Sequence, residues 1–351
     1  MLSFRFCSLE TPIASIEALA CWELAAFFIG SASIEDVPLD RDIASDWYIE
    51  NLVLPEERAD YRAEQQLAED EMLDYFSSEL ASMARQRIDI LGENYPFSLD
   101  GSGSLVRVKQ SQVSFISVSY IILQFYRALR ANLIEIDGAN NEDIRNKKQK
   151  FNRIFYNLLE YIAGLTVSGK QSGVPFMLSD CRSAERLHRI LSIICKKIGS
   201  GRVRRFDDWG RQHRETNDGK VDCLVYVGDP QNSGSAHIEL VSATAQESNI
   251  DIKIMGRDKL EFFSGFFAEK PAAFRGALVR PQDADELTLE KCKNENCLLF
   301  TYGDIISGLS KHGVGRRVLQ LSAKARGIIE GFNGIILSHE YVEYACIKPV
   351  T

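Results

Sequence analysis

The apolar positions of this chain change their spacing near Gly201. From residue 11 to about 92 they recur at helical intervals. The stretch 56–91, EERADYRAEQQLAEDEMLDYFSSELASMARQRIDIL, alternates charged and apolar residues with few breakers, and Pro55 precedes it where a helix start tolerates proline. ENYPFSLDGSGS (93–104) reads as a loop, and LVRVKQ (105–110) as a short strand or a lead-in to the next helix. Helices are expected over 111–135 and 142–165, separated by the turn-rich DGANNED, and over 180–198. Ser179 or Asp180 can cap the last of these, and Gly199 and Gly201 stop it.

Beyond Gly201 the pattern predicts strands at 221–227, 236–243, near 273–280, at 296–302 and near 342–348. Helices are expected between them, at 255–268, 303–310 and 316–333. The expected fold is therefore mixed: an all-helical N-terminal domain, residues 1–138, followed by an α/β domain, residues 139–351. No internal repeat or low-complexity segment is visible.

A chain of 351 residues is long enough for two domains with substantial cores. Its net charge of −8 requires any nucleic-acid contact to rest on a local basic face. The apolar N-terminus lacks a positive leading region, and Glu10, Glu17 and Glu23 interrupt it, so neither a signal peptide nor a membrane span is expected. The eight cysteines contain no C-x-x-C pair and sit mostly in apolar surroundings, which suits reduced thiols in a cytoplasmic protein.

The hairpin NDGKVDCLVYVGDPQNSGSAHIELVSA (217–243) carries one carboxylate in each of two apolar strands. With the loop centred between residues 231 and 232, Asp222 lies opposite Val241, and Glu239 falls on the same face of the partner strand. Carboxylates converging in this way call for a cation between them, and Mg²⁺ or Mn²⁺ would serve. A slip of one residue would part them to opposite faces. The other reading of the same residues has Asp222 capping the NDGK turn and Glu239 paired with an Arg or Lys.

At this hairpin the sequence resembles the PD-(D/E)xK, restriction-endonuclease-like superfamily, and in particular nuclease-like proteins of bacterial anti-phage defence systems. Tyr95-Pro96-Phe97 is similar to their YPF loop and SYIILQFY (119–126) to their Tyr- and Leu-rich helix. FNRIFYNLLEYIAGL is similar to their helix beginning FE, NDGKVDCLVY to their DDGLD strand, and ELVSATAQESN to their second strand and ATG turn. The resemblance implies a mixed β-sheet flanked by helices and Mg²⁺-assisted hydrolysis of DNA, with Asp222 and Glu239 binding the metal. The chain departs from that pattern in two places. Val241 stands where the family has its catalytic Lys, with Ser242 as the nearest polar substitute, and Asn152 replaces the helix acid. Lys220 or Lys253 would then have to supply positive charge, and Glu185 the missing acid.

KKIGSGRVRRFDDWGRQHRE (196–215) offers Arg202, Arg204, Arg205 and Arg211 to phosphate and Trp209 to a base or sugar, or else forms a solvated loop of mixed charge. KHGVGRR (311–317) offers Arg316 and Arg317 in the same way. GLTVSGKQ (164–171) falls short of a phosphate-binding loop, having Gln171 in place of the hydroxyl and following a helix instead of a strand. Cys292, Cys297 and His312 lack zinc spacing and a fourth ligand. Three functions remain: a metal-dependent deoxyribonuclease, a catalytically inactive relative that binds nucleic acid or another subunit of a defence complex, and a helical interaction protein.

Overall fold

The computed structural model describes residues 3–6, 16–37, 39, 41–63, 65–107, 115–137, 139–178, 181, 183–216, 221–228, 236–282 and 284–313. The expected helix 316–333 and strand 342–348 lie outside them. The described residues form a mixed α+β protein and divide into two compact units, one up to Phe155 and the other from Tyr156 onward.

In chain order the first unit contains β1 (Ser3–Phe6), α1 (Ile16–Ile29), β2 (Ser31–Ala32), α2 (Arg41–Asn51), α3 (Arg58–Ala63), α4 (Gln65–Leu91), β3 (Phe97–Leu99), β4 (Leu105–Arg107), α5 (Phe115–Arg130), β5 (Ile134–Asp137) and the first half of α6 (Asn141–Gln171). Ala68, Met72, Phe76, Leu80 and Ala84 of α4 are buried in a stripe four residues apart, which turns one side of this long helix to the core. Helices α1 and α5 are apolar on nearly every side; Phe115 to Ala128 are all buried. The unit is not all-helical. Asn132, at φ 58°, ends α5 before the expected residue 135, because asparagine tolerates the left-handed conformation that closes a helix. The chain then enters β5, which pairs antiparallel with β1, while β2, β4 and β3 form a second small sheet.

Glu23 lies wholly buried in the middle of α1. Its carboxylate accepts hydrogen bonds from the hydroxyls of Tyr95 and Tyr120 at 2.6 Å each and from Gln124 Nε2 at 2.5 Å. Burial raises its pKa to about 7, against the opposing pull of Tyr120, Tyr95, the Arg87 charge and Gln124.

The second unit continues α6 and adds β6 (Val174–Met177), α7 (Ala184–Ile198), β7 (Arg202–Val203), α8 (Arg211–Arg214), β8 (Cys223–Val227), β9 (His237–Ala243), α9 (Ile250–Lys253), α10 (Arg257–Ser264), β10 (Phe267–Glu269), β11 (Ala273–Val279), α11 (Glu286–Asn294), β12 (Cys297–Phe300) and α12 (Tyr302–Gly313). Five strands form one sheet in the order β12-β11-β9-β8-β6. The β6, β8 and β9 strands run antiparallel to their neighbours, whereas β9, β11 and β12 are parallel, as the crossovers through α10 and α11 require. One face of the sheet carries Leu224, Tyr226, Ile238, Leu240 and Leu278 into a core with Leu187 and Leu191 of α7, Ile250 of α9 and Phe263 of α10. The other face lies against α6. A side-chain carbon at Gly164 would come 2.5 Å from Cys223 Sγ, and one at Gly169 would meet the carbonyl of Gly308 in α12. The stretch that falls short of a phosphate-binding loop is therefore helix, and its two glycines serve packing. All six described cysteines are buried, and Cys195, Cys223, Cys292 and Cys297 are free thiols.

The raised pKa of Glu23 sets a pH dependence of stability. Its ordinary value is 4.5 and its folded value about 7, so the stability this site contributes is full below pH 4.5 and lost as pH rises through 7. Relative to Glu23→Gln, the wild type should lose roughly 3 kcal/mol between these limits, at ~1.4 kcal/mol per unit of pKa. Thermal unfolding of both proteins at a series of pH values measures the difference; parallel curves would show that Glu23 ionises normally.

Candidate functional site

The pairing of β8 with β9 decides what the two hairpin carboxylates can do. Cys223 pairs with Val241, Leu224 with Leu240, Val225 with Glu239, Tyr226 with Ile238 and Val227 with His237. This differs by one residue from the register that sets Asp222 opposite Val241, and the expected convergence of Asp222 and Glu239 is corrected accordingly. Side chains alternate along a strand, so Asp222, three positions before Val225, faces away from Glu239. The reason is burial on both faces. The observed register stacks Leu224 on Leu240 and Tyr226 on Ile238, whereas the shifted one would set Leu224 and Tyr226 beside Glu239 and His237.

Asp222 lies immediately before β8 and is 4 % exposed. Its N–H donates to the Val241 carbonyl at 3.0 Å, and its Oδ2 accepts the N–H of Ala243 at 2.7 Å. Lys253 of α9 places its Nζ 3.0 Å and 3.2 Å from the two carboxylate oxygens. The positive charge sought from Lys253 is thus beside Asp222, delivered by a short helix on the Leu224 face. Ser242, next along the same ladder, is fully buried, and its hydroxyl has no hydrogen-bond partner among the described residues.

Glu239 is fully buried on the face toward α6. Its Oε1 lies 2.9 Å from His237 Nε2, two residues back on the same face, while Oε2 has no partner among the described residues. Burial pushes its pKa up, opposed by His237 and by the charge of Arg275 on the neighbouring strand. The alternation of strand positions makes His237 legible as its neighbour; nothing in the spacing marks it as the partner.

The other expected site residues do not join either carboxylate. Glu185 stands exposed in the first turn of α7, where its own N–H and the Ser183 hydroxyl hold its pKa down, and it makes no hydrogen bond to Asp222 or Glu239. Trp209 is 2 % exposed, with its ring among His188, Phe206 and Phe266, so it belongs to the core and is no stacking platform. Arg204 is held by a bond from Nε to the Phe267 carbonyl, and Arg211 pairs with Glu215. Arg202 and Arg205 are exposed. Lys220, Arg316 and Arg317 lie outside the described residues.

A divalent cation does not fit this arrangement. Its two expected ligands aim to opposite sides of the sheet, each already beside a nitrogen of its own, and no group of three or more His, Cys, Asp or Glu side chains able to hold a metal occurs among the described residues. No described helix is long and apolar enough to cross a membrane. No family model, curated protein or solved structure matches the chain.

Two measurements follow from the Asp222 contacts. Asp222→Ala leaves the buried Ala243 N–H without its acceptor and should cost about 1–3 kcal/mol in urea denaturation. Millimolar Mg²⁺ should leave the melting temperature of the wild type unchanged; a rise that Asp222→Ala abolishes would reveal a metal site.

Proposed function

We propose that this chain is a catalytically inactive relative of the restriction-endonuclease-like proteins, acting as a nucleic-acid-binding subunit of a bacterial anti-phage defence complex. The mixed sheet flanked by helices suits that fold, and its strands carry the hairpin on which the resemblance rests. The observation that carries the inactive reading is the parting of Asp222 and Glu239 by the β8–β9 register, each beside its own nitrogen. Hydrolysis needs a metal or an equivalent charge that meets the phosphate and the attacking water together. Carboxylates on opposite faces do not supply it. Binding asks only for cations on the surface. The buried thiols of Cys195, Cys223, Cys292 and Cys297 fit a reducing cytoplasm.

A second reading has one observation in its favour: Lys253 supplies beside Asp222 the charge that Val241 lacks. A single assay separates the two. Purified protein incubated with plasmid and with single-stranded DNA, in Mg²⁺ or Mn²⁺ and again in EDTA, should leave both substrates intact. Cleavage that disappears in EDTA, in Asp222→Ala and in Lys253→Met would establish the hydrolase instead.

A further inference from the structure

Helix α7 has two chemically different sides. Ala184, Leu187, Leu191, Ile194, Cys195 and Ile198 are buried in the sheet core, and Ser183 caps the start by accepting the N–H of Arg186. The exposed side carries Arg186, Arg189, Lys196 and Lys197. Spaced three, seven and one residues apart, these cations fall within about 100° of one another around the helix, on one flank. Between residues 184 and 205 there are seven Lys and Arg and one acid, Glu185, in a chain whose net charge is −8. Arg186, Arg189, Lys196, Arg202 and Arg205 form no ion pair among the described residues, while Lys197 lies 6.0 Å above the ring of Phe176.

The row leads to a cavity of about 600 Å³ at the end of α7, lined by Ser192, Lys196, Gly201, Arg202 and Glu269 among others. Gly199, at φ 75°, turns the chain there, and its N–H closes the helix on the Cys195 carbonyl. Lys196 and Arg202 thus line the cavity from the helix and from the strand that follows it, with Glu269 the one carboxylate of the lining.

We infer that the exposed side of α7, continued by this cavity, is a docking surface for the phosphate backbone of a nucleic-acid duplex. The inference deepens the proposed binding function by naming its surface and its ligand. Two features favour a duplex over a single strand. Single strands are held largely by bases stacked on exposed aromatic rings. Here Trp209 is buried, and Phe206 and Phe176 are only partly exposed. The cations also stand on a straight, rigid element: Arg186 to Lys197 spans roughly 16 Å at ~1.5 Å per residue, enough to reach phosphates on both sides of a major groove ~12 Å wide. Contacts of this kind read charge and spacing, so binding should be indifferent to sequence.

Fluorescence anisotropy with labelled duplex DNA, duplex RNA and single-stranded DNA of equal length, in EDTA and over a range of salt, tests this whether or not the protein can cleave. The wild type should bind a duplex more tightly than the single strand, and the DNA and RNA arms show which helical form fits. The triple variant Arg186→Glu, Arg189→Glu, Lys197→Glu should bind the duplex at least about tenfold more weakly and lower the steepness of the salt dependence by roughly 2–3, given ~0.9 per phosphate contact. Lys148→Glu with Lys150→Glu, exposed on α6, should leave binding within about twofold, and circular dichroism verifies that each variant is folded. Equal duplex binding by the triple variant and the wild type, tighter binding of single strands, or preference for vesicles containing phosphatidylglycerol would each overturn the inference. Cleavage in the separate Mg²⁺ assay would overturn only the inactive reading.

Discussion

The ladder between β8 and β9 controls the second unit, because both of its faces are buried and neither can be exchanged for the other. In a sheet with one wet face, a strand can slip with moderate loss if polar groups find water. Here Leu224, Tyr226, Ile238 and Leu240 fill the side toward α7, α9 and α10, while Cys223, Val225 and Val241 take the side toward α6. The pairing that keeps both sets matched also determines which neighbours the acids receive. Asp222 meets the Ala243 N–H and Lys253, and Glu239 meets His237. Apolar packing, worth about 1.5–3 kcal/mol for each large side chain buried, outweighs any local preference of two carboxylates.

Much of this architecture was legible from spacing alone. The strands near 221–227, 236–243, 273–280 and 296–302 occur as β8, β9, β11 and β12, since short apolar runs bounded by turn formers leave few alternatives. Helix α7 ends at Gly199 as its stop signal indicates, but it starts at Ala184 instead of 180, because Ser183 and not Ser179 or Asp180 supplies its cap. Of the short sheet in the first unit only β4 was legible, as the short-strand reading of 105–110; β2 and β3, two and three residues long, are too short for any period to register. The site was legible only in its residue types. Which face a strand residue takes depends on a register that a single added loop residue reverses, and a loop midpoint estimated from sequence is uncertain by about that much. Trp209 shows a related difficulty. A tryptophan among arginines suggests a nucleic-acid surface, but its neighbours in space are the rings of Phe266, just after α10, and of Phe206 in the turn before Trp209 itself.

Once the acids are assigned to the sheet interior, the surface becomes the place where this protein meets other molecules. A fold limits which residues share a face, while function rests on the groups that the fold leaves accessible. On α7 those groups are cationic, and Arg186, Arg189 and Lys196 form no ion pair among the described residues. On the sheet they are covered.

The glycines of α6 divide that helix into two regimes. At Gly169 the backbone touches Gly308 of α12, and at Gly164 it meets Cys223 and Met177, so no side chain of any size can enter. Residues 145–150 of the same helix, by contrast, are largely solvent-facing. Mutational drift should therefore leave very unequal marks along one continuous element: many residue types accepted in its opening turns, and near-invariance where its closing turns graze the sheet.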